Sequence, residues 1–238
     1  MNLLLIEPEE LREDGSAQLT GRRHLHAREV LRAQEGDVLR VGLRGGSVGT
    51  ATVIGQTDKS LDLKVTLDAG APPRSGVTLI LAVPRPKALK RLLPAFSSMG
   101  LDHVVLLNAS RVEKSYFDAR ALEPATVSRL FDEGLEQGKD TVSPDLRIRE
   151  RFKPFVEDEL PGLTRGAAYC LVCHPGAPAL PRREPHARTV IAVGPEGGWV
   201  DFELAMFEKA GFVRVGLGAR PLRTEIAVPA ALGALGLS

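Results

Sequence analysis

Two stretches of the chain carry residue types able to grip and activate a ligand. The first is Ile191-Ala-Val-Gly-Pro-Glu-Gly-Gly-Trp-Val-Asp201, an apolar strand that runs into a glycine-rich turn and then a helix. Ligands of open α/β sheets bind where such turns leave the carboxyl ends of strands. Gly194, Gly197 and Gly198 allow backbone N–H and C=O groups to come close to a ligand. The turn has neither the G-x-x-x-x-G-K-S/T nor the G-x-G-x-x-G spacing of a phosphate loop. Glu196 within it also repels an anion, so a neutral or cationic ligand suits it better. A plain tight strand-to-helix turn is the alternative.

The second stretch is Val215-Gly-Leu-Gly-Ala-Arg-Pro-Leu-Arg-Thr-Glu-Ile-Ala227. A short strand leads to a loop with Arg220, Arg223, Thr224 and Glu225, and a helix of small residues follows. Thr224 is the expected cap of that helix. Two arginines and a carboxylate at the carboxyl end of a strand favour a site over a merely solvated helix start. Cys170-Leu-Val-Cys173-His174 spells C-x-x-C-H, the haem-attachment pattern. It lies on an apolar strand, where residues three apart face opposite sides. Inert thiols are therefore expected, without haem or redox chemistry. His24, His26, His103 and His186 lack metal-ligand spacing, so no metal is expected. Arg22, Arg23, Arg28, Arg32, Arg40 and Arg44 cluster near the N-terminus, partly balanced by Glu29, Glu35 and Asp37.

The elements that must position these residues fall into two regions. Val38–Leu43, Gly49–Ile54 and Ser60–Leu67 alternate apolar and polar residues as short strands do, with Arg44-Gly-Gly46 as a hairpin turn. Arg23–Arg32 fits a short helix through Leu25, Val30 and Leu31. A small β-barrel over residues 1–70 is expected. Ala69-Gly-Ala-Pro-Pro-Arg-Ser-Gly76 then breaks the pattern. Beyond it, near-continuous apolar strands (Val77–Val83, Val104–Leu107, Ala168–Cys173, Thr189–Val193) alternate with helices (Lys87–Met99, Pro124–Gln137, Phe202–Ala210). This is the grammar of an α/β domain, residues 75–238, with a mostly parallel sheet covered on both faces. Pro94 is expected to kink the first of these helices. His174–Arg188, rich in Pro and Arg, reads as a surface loop.

Composition narrows the function classes. The 238 residues are 43% hydrophobic and 26% charged, which fits a globular chain and not a disordered one. A net charge of +1 excludes a polybasic non-specific nucleic-acid binder but leaves room for a local basic face. Aromatics at 5% give a stacking platform few rings. Two cysteines make no disulfide framework. MNLLLIEPEE lacks the basic start and long apolar stretch of a secretory signal, and no run is long enough to span a membrane. A cytoplasmic protein is expected.

Gly194-Pro-Glu-Gly-Gly198, followed by Leu217-Gly-Ala-Arg-Pro-Leu-Arg-Thr-Glu225, resembles the paired motifs of the RsmE family, the SPOUT-type methyltransferases of N3 of a uridine in 16S ribosomal RNA. His174-Pro175 resembles the family's His-Pro, and Glu136-Gln137 its Glu-Gln. Arg23–Arg32 with Gly36-Asp37 resembles its N-terminal RNA-binding segment. The resemblance covers nearly the whole chain. It implies a PUA-like N-terminal barrel, an α/β domain with a C-terminal trefoil knot, a homodimer, and S-adenosylmethionine as cofactor. It assigns Val172, Cys173, His174 and Pro175, the turn Gly194–Gly198, and Leu217, Gly218, Leu222 and Arg223 to the cofactor. The sequence departs from the family's Gln-Lys and Glu-Leu-Gly at Pro94-Ala95 and Ser98-Met-Gly100. It also departs from the arginine expected within Gly138–Ser143.

The implied reaction is methyl transfer to a ring nitrogen, with the protein supplying orientation and electrostatics. Uridine N3 carries a proton and is a poor nucleophile. Arg223 is the candidate to stabilise charge on a neighbouring carbonyl oxygen, and Glu225 either accepts the proton or orients Arg223. Arg22, Arg23, Arg28, Arg32 and Arg220 are the expected RNA contacts. Two other readings compete. A non-catalytic RNA-binding protein that kept the fold predicts RNA binding without methyl incorporation. A small-molecule enzyme of another α/β type predicts a pocket closed to RNA and no arginine-rich face.

Overall fold

The structure, a computed structural model, describes residues 2–68 and 70–237. The chain divides into two compact units. One comprises Met1–Pro73 with Asp132–Ser143, and the other Arg74–Phe131 with Pro144–Ser238.

The first unit is a five-stranded sheet of β1 (Leu4–Ile6), β2 (Ser16–Thr20), β3 (Val38–Leu43), β4 (Val48–Gln56) and β5 (Ser60–Leu67). Its order is β1-β3-β4-β5-β2. β1 runs parallel to β3, and the other pairs are antiparallel. Every strand feeds the same core, from Leu4 and Ile6 through Val41, Val53 and Leu63 to Leu19. The sheet therefore curls around one interior, helped by a register shift between Val53 and Gly55. Helix α1 (Gly21–Glu29) buries His24 and Ala27. The apolar residues expected on its inner face are instead outside: Leu25 is 43% exposed, Val30 65% and Leu31 41%. The helix ends at Glu29, so Val30 and Leu31 lie past it and escape its period. Meanwhile His24 is held inward by a 3.0 Å bond between Nε2 and the Thr57 carbonyl.

The second unit holds β6 (Val77–Ala82), α2 (Pro86–Ser98), β7 (His103–Leu107), the start of α3 (Pro124–Gly138) and β8 (Asp145–Arg149). A helical connection follows, α4 (Phe152–Pro154), a π-turn and α5 (Leu160–Thr164). Then come β9 (Tyr169–Cys173), β10 (Thr189–Val193), α6 (Asp201–Lys209), β11 (Val213–Val215) and α7 (Thr224–Ala234). The last two turns of α3, from Asp132, belong to the first unit. The six strands are ordered β11-β9-β10-β6-β7-β8 and all pair in parallel. Each residue of β6 is buried, because the strand's period of two sends Val77, Leu79 and Leu81 to one core and Ile80 and Ala82 to the other. α2, α3 and α7 cover the first face; α6 and the 152–164 connection cover the second.

α2 starts with Pro86 in its first turn, where a missing N–H costs nothing. It runs unbroken through Pro94 to Ser98. Its apolar side, Leu89, Leu92, Leu93 and Phe96, is almost wholly buried. No described helix is long and apolar enough to cross a membrane.

Candidate active site

Strand order places the chemistry. β6 leads outward to β7 and β8, and the chain then returns to the other side of β6 for β10, β9 and β11. Such a reversal opens a crevice at the carboxyl ends of the strands. Register fixes its level: Ala192 pairs with Val172, and Val215 with Cys173. The turns after β9, β10 and β11 thus leave the sheet at one height. The His174 amide donates to the Val215 carbonyl (2.9 Å), and the Gly216 amide to the Pro178 carbonyl (2.6 Å).

These three turns line one cavity of about 180 Å³. Cys173, His174 and Pro175 come from the first turn, Gly194, Pro195, Glu196 and Gly198 from the second, and Leu217, Gly218, Arg220 and Leu222 from the third. Arg220, expected at RNA, is therefore part of the cavity wall. Three expected cofactor residues are not. Val172 is wholly buried among the apolar side chains beneath. Gly197 packs against Arg111, whose guanidinium donates to the Gly197 carbonyl. Arg223 stands between two lining residues, Leu222 and Thr224, without lining the wall itself. The sequence reading missed Gly176, Val193, Ala219, Pro221, Thr224 and Ala227. Adjacency was the available signal: each lies within a few residues of a motif position.

The glycine-rich turn is held from below. Glu203, 1% exposed, accepts the Val200 amide on Oε2 (2.9 Å) and the Ser110 amide on Oε1 (2.7 Å). One carboxylate thus ties the start of α6 to the loop after β7. Gly194 faces the indole of Trp199, and a Cβ there would sit 3.1–3.3 Å from the ring. Trp199 packs in turn on Phe207 (centroids 5.1 Å apart). Gly218 has φ +110°, a conformation that side chains rarely adopt. On the rim, the Arg85 amide donates to Glu196 Oε1 (3.4 Å).

Arg223 is the N-cap residue of α7, and its carbonyl accepts from Ile226 (2.9 Å) and Ala227 (2.8 Å). Thr224, expected as the cap, is the first helical residue and is 3% exposed; no side-chain cap bond forms. Glu225 follows in the same first turn. Cys170 and Cys173 do face opposite sides, each against a different core. Burial pushes the Cys173 thiol up to about 12 and raises Cys170 as well. Neither is a nucleophile at neutral pH. Among the described residues no cluster suits a metal ion.

Most of the N-terminal arginines have carboxylate partners within their own unit. Arg22 forms two bonds to Glu136, 2.7 and 3.0 Å. Arg23 binds Glu10 and the Leu5 carbonyl, and Arg44 binds Glu7 and Asp132. Arg28 is bonded to Glu29 and to the Asp58 carbonyl. Arg32, at φ +53°, and Arg40 are exposed.

The RNA methyltransferase domain family matches residues 71–236. A ribosomal RNA small subunit methyltransferase E from Treponema pallidum (strain Nichols) is 29% identical over 237 residues, covering 97% of this chain and 89% of that protein. The fold is shared with a ribosomal RNA small subunit methyltransferase E from Neisseria gonorrhoeae solved with S-adenosyl methionine. Its TM-score is 0.74 and its identity 22%, with 99% of this chain and 96% of that one covered. A methyltransferase from Legionella pneumophila in complex with the same cofactor gives TM-score 0.74 and 22% identity over 98% and 96%. With more than half its length matched, this chain belongs to the RNA methyltransferase family, in its RsmE branch.

Proposed function

We propose that the protein methylates N3 of a uridine in 16S ribosomal RNA of the small subunit, using S-adenosylmethionine. The single observation that carries this reading is the convergence of three strand-end turns on one cavity. The residues suit the cofactor. Pro175, Val193, Leu217 and Leu222 offer apolar walls for a flat heterocycle, the glycine-rich turn offers backbone groups, and the Glu196 carboxylate suits a cation. When bound, S-adenosylmethionine supplies a methyl group activated on a positively charged sulfur.

The chain's own groups do the rest. Arg223, between the lining residues Leu222 and Thr224, stabilises negative charge on a uridine carbonyl oxygen as the N3 proton leaves. Glu225, in the first turn of the same helix, takes that proton or holds Arg223 in place. Arg220 on the cavity wall orients the entering nucleotide. A base inside structured RNA must unstack to enter such a cavity, and Arg32 and Arg40 remain available for phosphate contacts outside it.

Two further features belong to this reading. α7 presents Ile226, Ala230 and Gly233, all exposed, along one side at helical spacing, which supports a homodimer formed through that helix. Meanwhile Val228, Ala231 and Leu232 pack α7 onto the sheet core. Arg183, on the connection between β9 and β10, donates to the Leu235 carbonyl (3.4 Å) and the Ser75 carbonyl. The first of these bonds ties that connection to the C-terminal end of α7, which supports the trefoil knot. The PUA-like assignment of the first unit is supported by its curled sheet, and the cytoplasm is where the ribosomal substrate resides.

Transfer of labelled methyl from S-adenosylmethionine to small subunits lacking the modification tests the function. Incorporation is expected, and Arg223→Ala should lower kcat by on the order of a hundredfold. RNA binding without incorporation would identify a non-catalytic protein. Unchanged transfer by Arg223→Ala would remove the role given to that residue.

A further inference from the structure

We propose that the outward face of α2 is a phosphate-binding ridge that holds the RNA strand where it leaves the cavity; this rests on the methyltransferase reading above. From Val77 to Leu101 the sequence contains no Asp or Glu, yet Arg85, Lys87, Lys90 and Arg91 fall within seven residues. The helical period sends Ala88, Leu89, Leu92 and Leu93 into the core. It leaves Lys87, Lys90 and Arg91 together on the solvent side, at spacings of three and four. All three are exposed, and among the described residues none is within ion-pair distance of a carboxylate.

The contrast with the N-terminal arginines decides the partner. Arg22, Arg23, Arg28 and Arg44 are neutralised by carboxylates of their own unit. Those charges must be pulled from existing partners before they can serve a phosphate. The cations of α2 need no such exchange. In a chain whose net charge is only +1, three neighbouring cations without a carboxylate partner make a local field, and a polyanion is what such a field attracts. A second copy of this chain fits the face poorly, because a two-fold contact would set the same cations against each other.

Location links the ridge to the chemistry. The Arg85 amide, at the N-cap of α2, is bonded to Glu196 on the cavity rim. At about 1.5 Å rise per residue, Lys87 to Arg91 lie within roughly 9 Å of that rim along the helix axis. A strand whose unstacked nucleotide enters the cavity can therefore carry its next phosphates over α2.

The test is a triple reversal, Lys87→Glu with Lys90→Glu and Arg91→Glu. Its control is an equal charge change elsewhere, Arg151→Glu with Arg165→Glu and Lys209→Glu. Binding of a fluorescent 20-nucleotide RNA is read by anisotropy across 50–300 mM salt, alongside KM and kcat on unmodified small subunits. The α2 variant should bind at least tenfold more weakly near 0.1 M salt. Its log–log salt slope should be shallower by about 2 to 3, close to 0.7–0.9 per lost phosphate contact. KM for subunits should rise while affinity for S-adenosylmethionine stays put, and the control should keep a slope near wild type. Equal losses in both variants would mean a global charge effect and overturn the proposal. So would a wild-type slope in the α2 variant, or a changed oligomeric state with unchanged RNA binding. Wild-type protein that binds RNA through α2 without methylating subunits would sink the methyltransferase reading and leave the ridge standing. If the triple reversal fails to fold, the triple alanine variant reads the same slope.

Discussion

Arg22 and Glu136, 114 positions apart, form a bidentate ion pair in which the carboxylate is 1% exposed and the guanidinium 42%. Burial alone pushes Glu136 upward, toward its neutral form, and Arg22 pulls the other way. Removing the arginine would leave a buried carboxylate without its partner. Arg22→Ala is therefore expected to cost roughly 3 kcal/mol, at the low end for buried pairs because Arg22 is partly solvated. Arg32→Ala, on an exposed side chain, should fall within about 0.5 kcal/mol of wild type. Urea unfolding of both variants checks this. Equal stabilities would mean that Arg22 is free for RNA after all.

Trp199 is the sole tryptophan, and its ring lies against Gly194 on the cavity wall. Its emission is thus a built-in reporter of the glycine-rich turn. Addition of S-adenosylmethionine should change that emission saturably. Gly194→Ala would force a methyl group into a space already filled by indole, a strain of about 1–3 kcal/mol. The expected result is a shifted emission spectrum and roughly tenfold weaker cofactor binding, read in the same titration.

The two thiols should be unreactive in the folded protein. With Cys173 pushed up to about 12 by burial, its thiolate fraction at pH 8 is on the order of one in ten thousand. A chromogenic disulfide reagent should label Cys173 orders of magnitude more slowly in native protein than in denaturant, and Cys170, raised in the same direction, more slowly as well. Rapid native labelling of Cys173 would contradict that shift.

Acid should weaken the first unit through Glu7. Arg44 donates to both Glu7 oxygens, at 2.7 and 2.9 Å, and holds this carboxyl below its ordinary value of 4.5. A depressed folded value means that the pairing's contribution is fully present above pH 4.5. It is lost as pH falls through the folded value. Wild-type stability should therefore drop more steeply than that of Glu7→Gln on acidification, and the two curves should converge at low pH. Parallel curves in urea titrations from pH 7 to 3 would remove the effect.

Much of the α/β architecture was legible because its central strands are near-continuous apolar runs, and Thr189–Val193 is buried at every position, whereas the edge strand β8, Asp145-Leu-Arg-Ile-Arg149, carries no such run and went unread. The site was legible for the same reason: motifs at strand ends sit at one level once the strands are parallel. What periodicity could not reveal was pairing across distance. β1 and β2 are short, and β1 joins the sheet in parallel with a strand more than thirty residues on. The exposure of Val30 and Leu31 follows from a helix that stops at Glu29, a boundary no apolar pattern marks, and Leu25 is outside because the helix turns His24 and Ala27 inward instead. Nor does spacing tell a free arginine from a paired one, since the partner of Arg22 lies on α3. For that reason the unpaired basic residues of α2 went unread.

The most direct test is a crystal structure of the protein grown with saturating S-adenosylmethionine. The account predicts the cofactor within the wall formed by His174, Gly194, Glu196, Leu217 and Leu222, with its methyl group directed toward the α7 end that carries Arg223 and Glu225. Cofactor density elsewhere in the molecule, or none beside those turns at saturation, would contradict it.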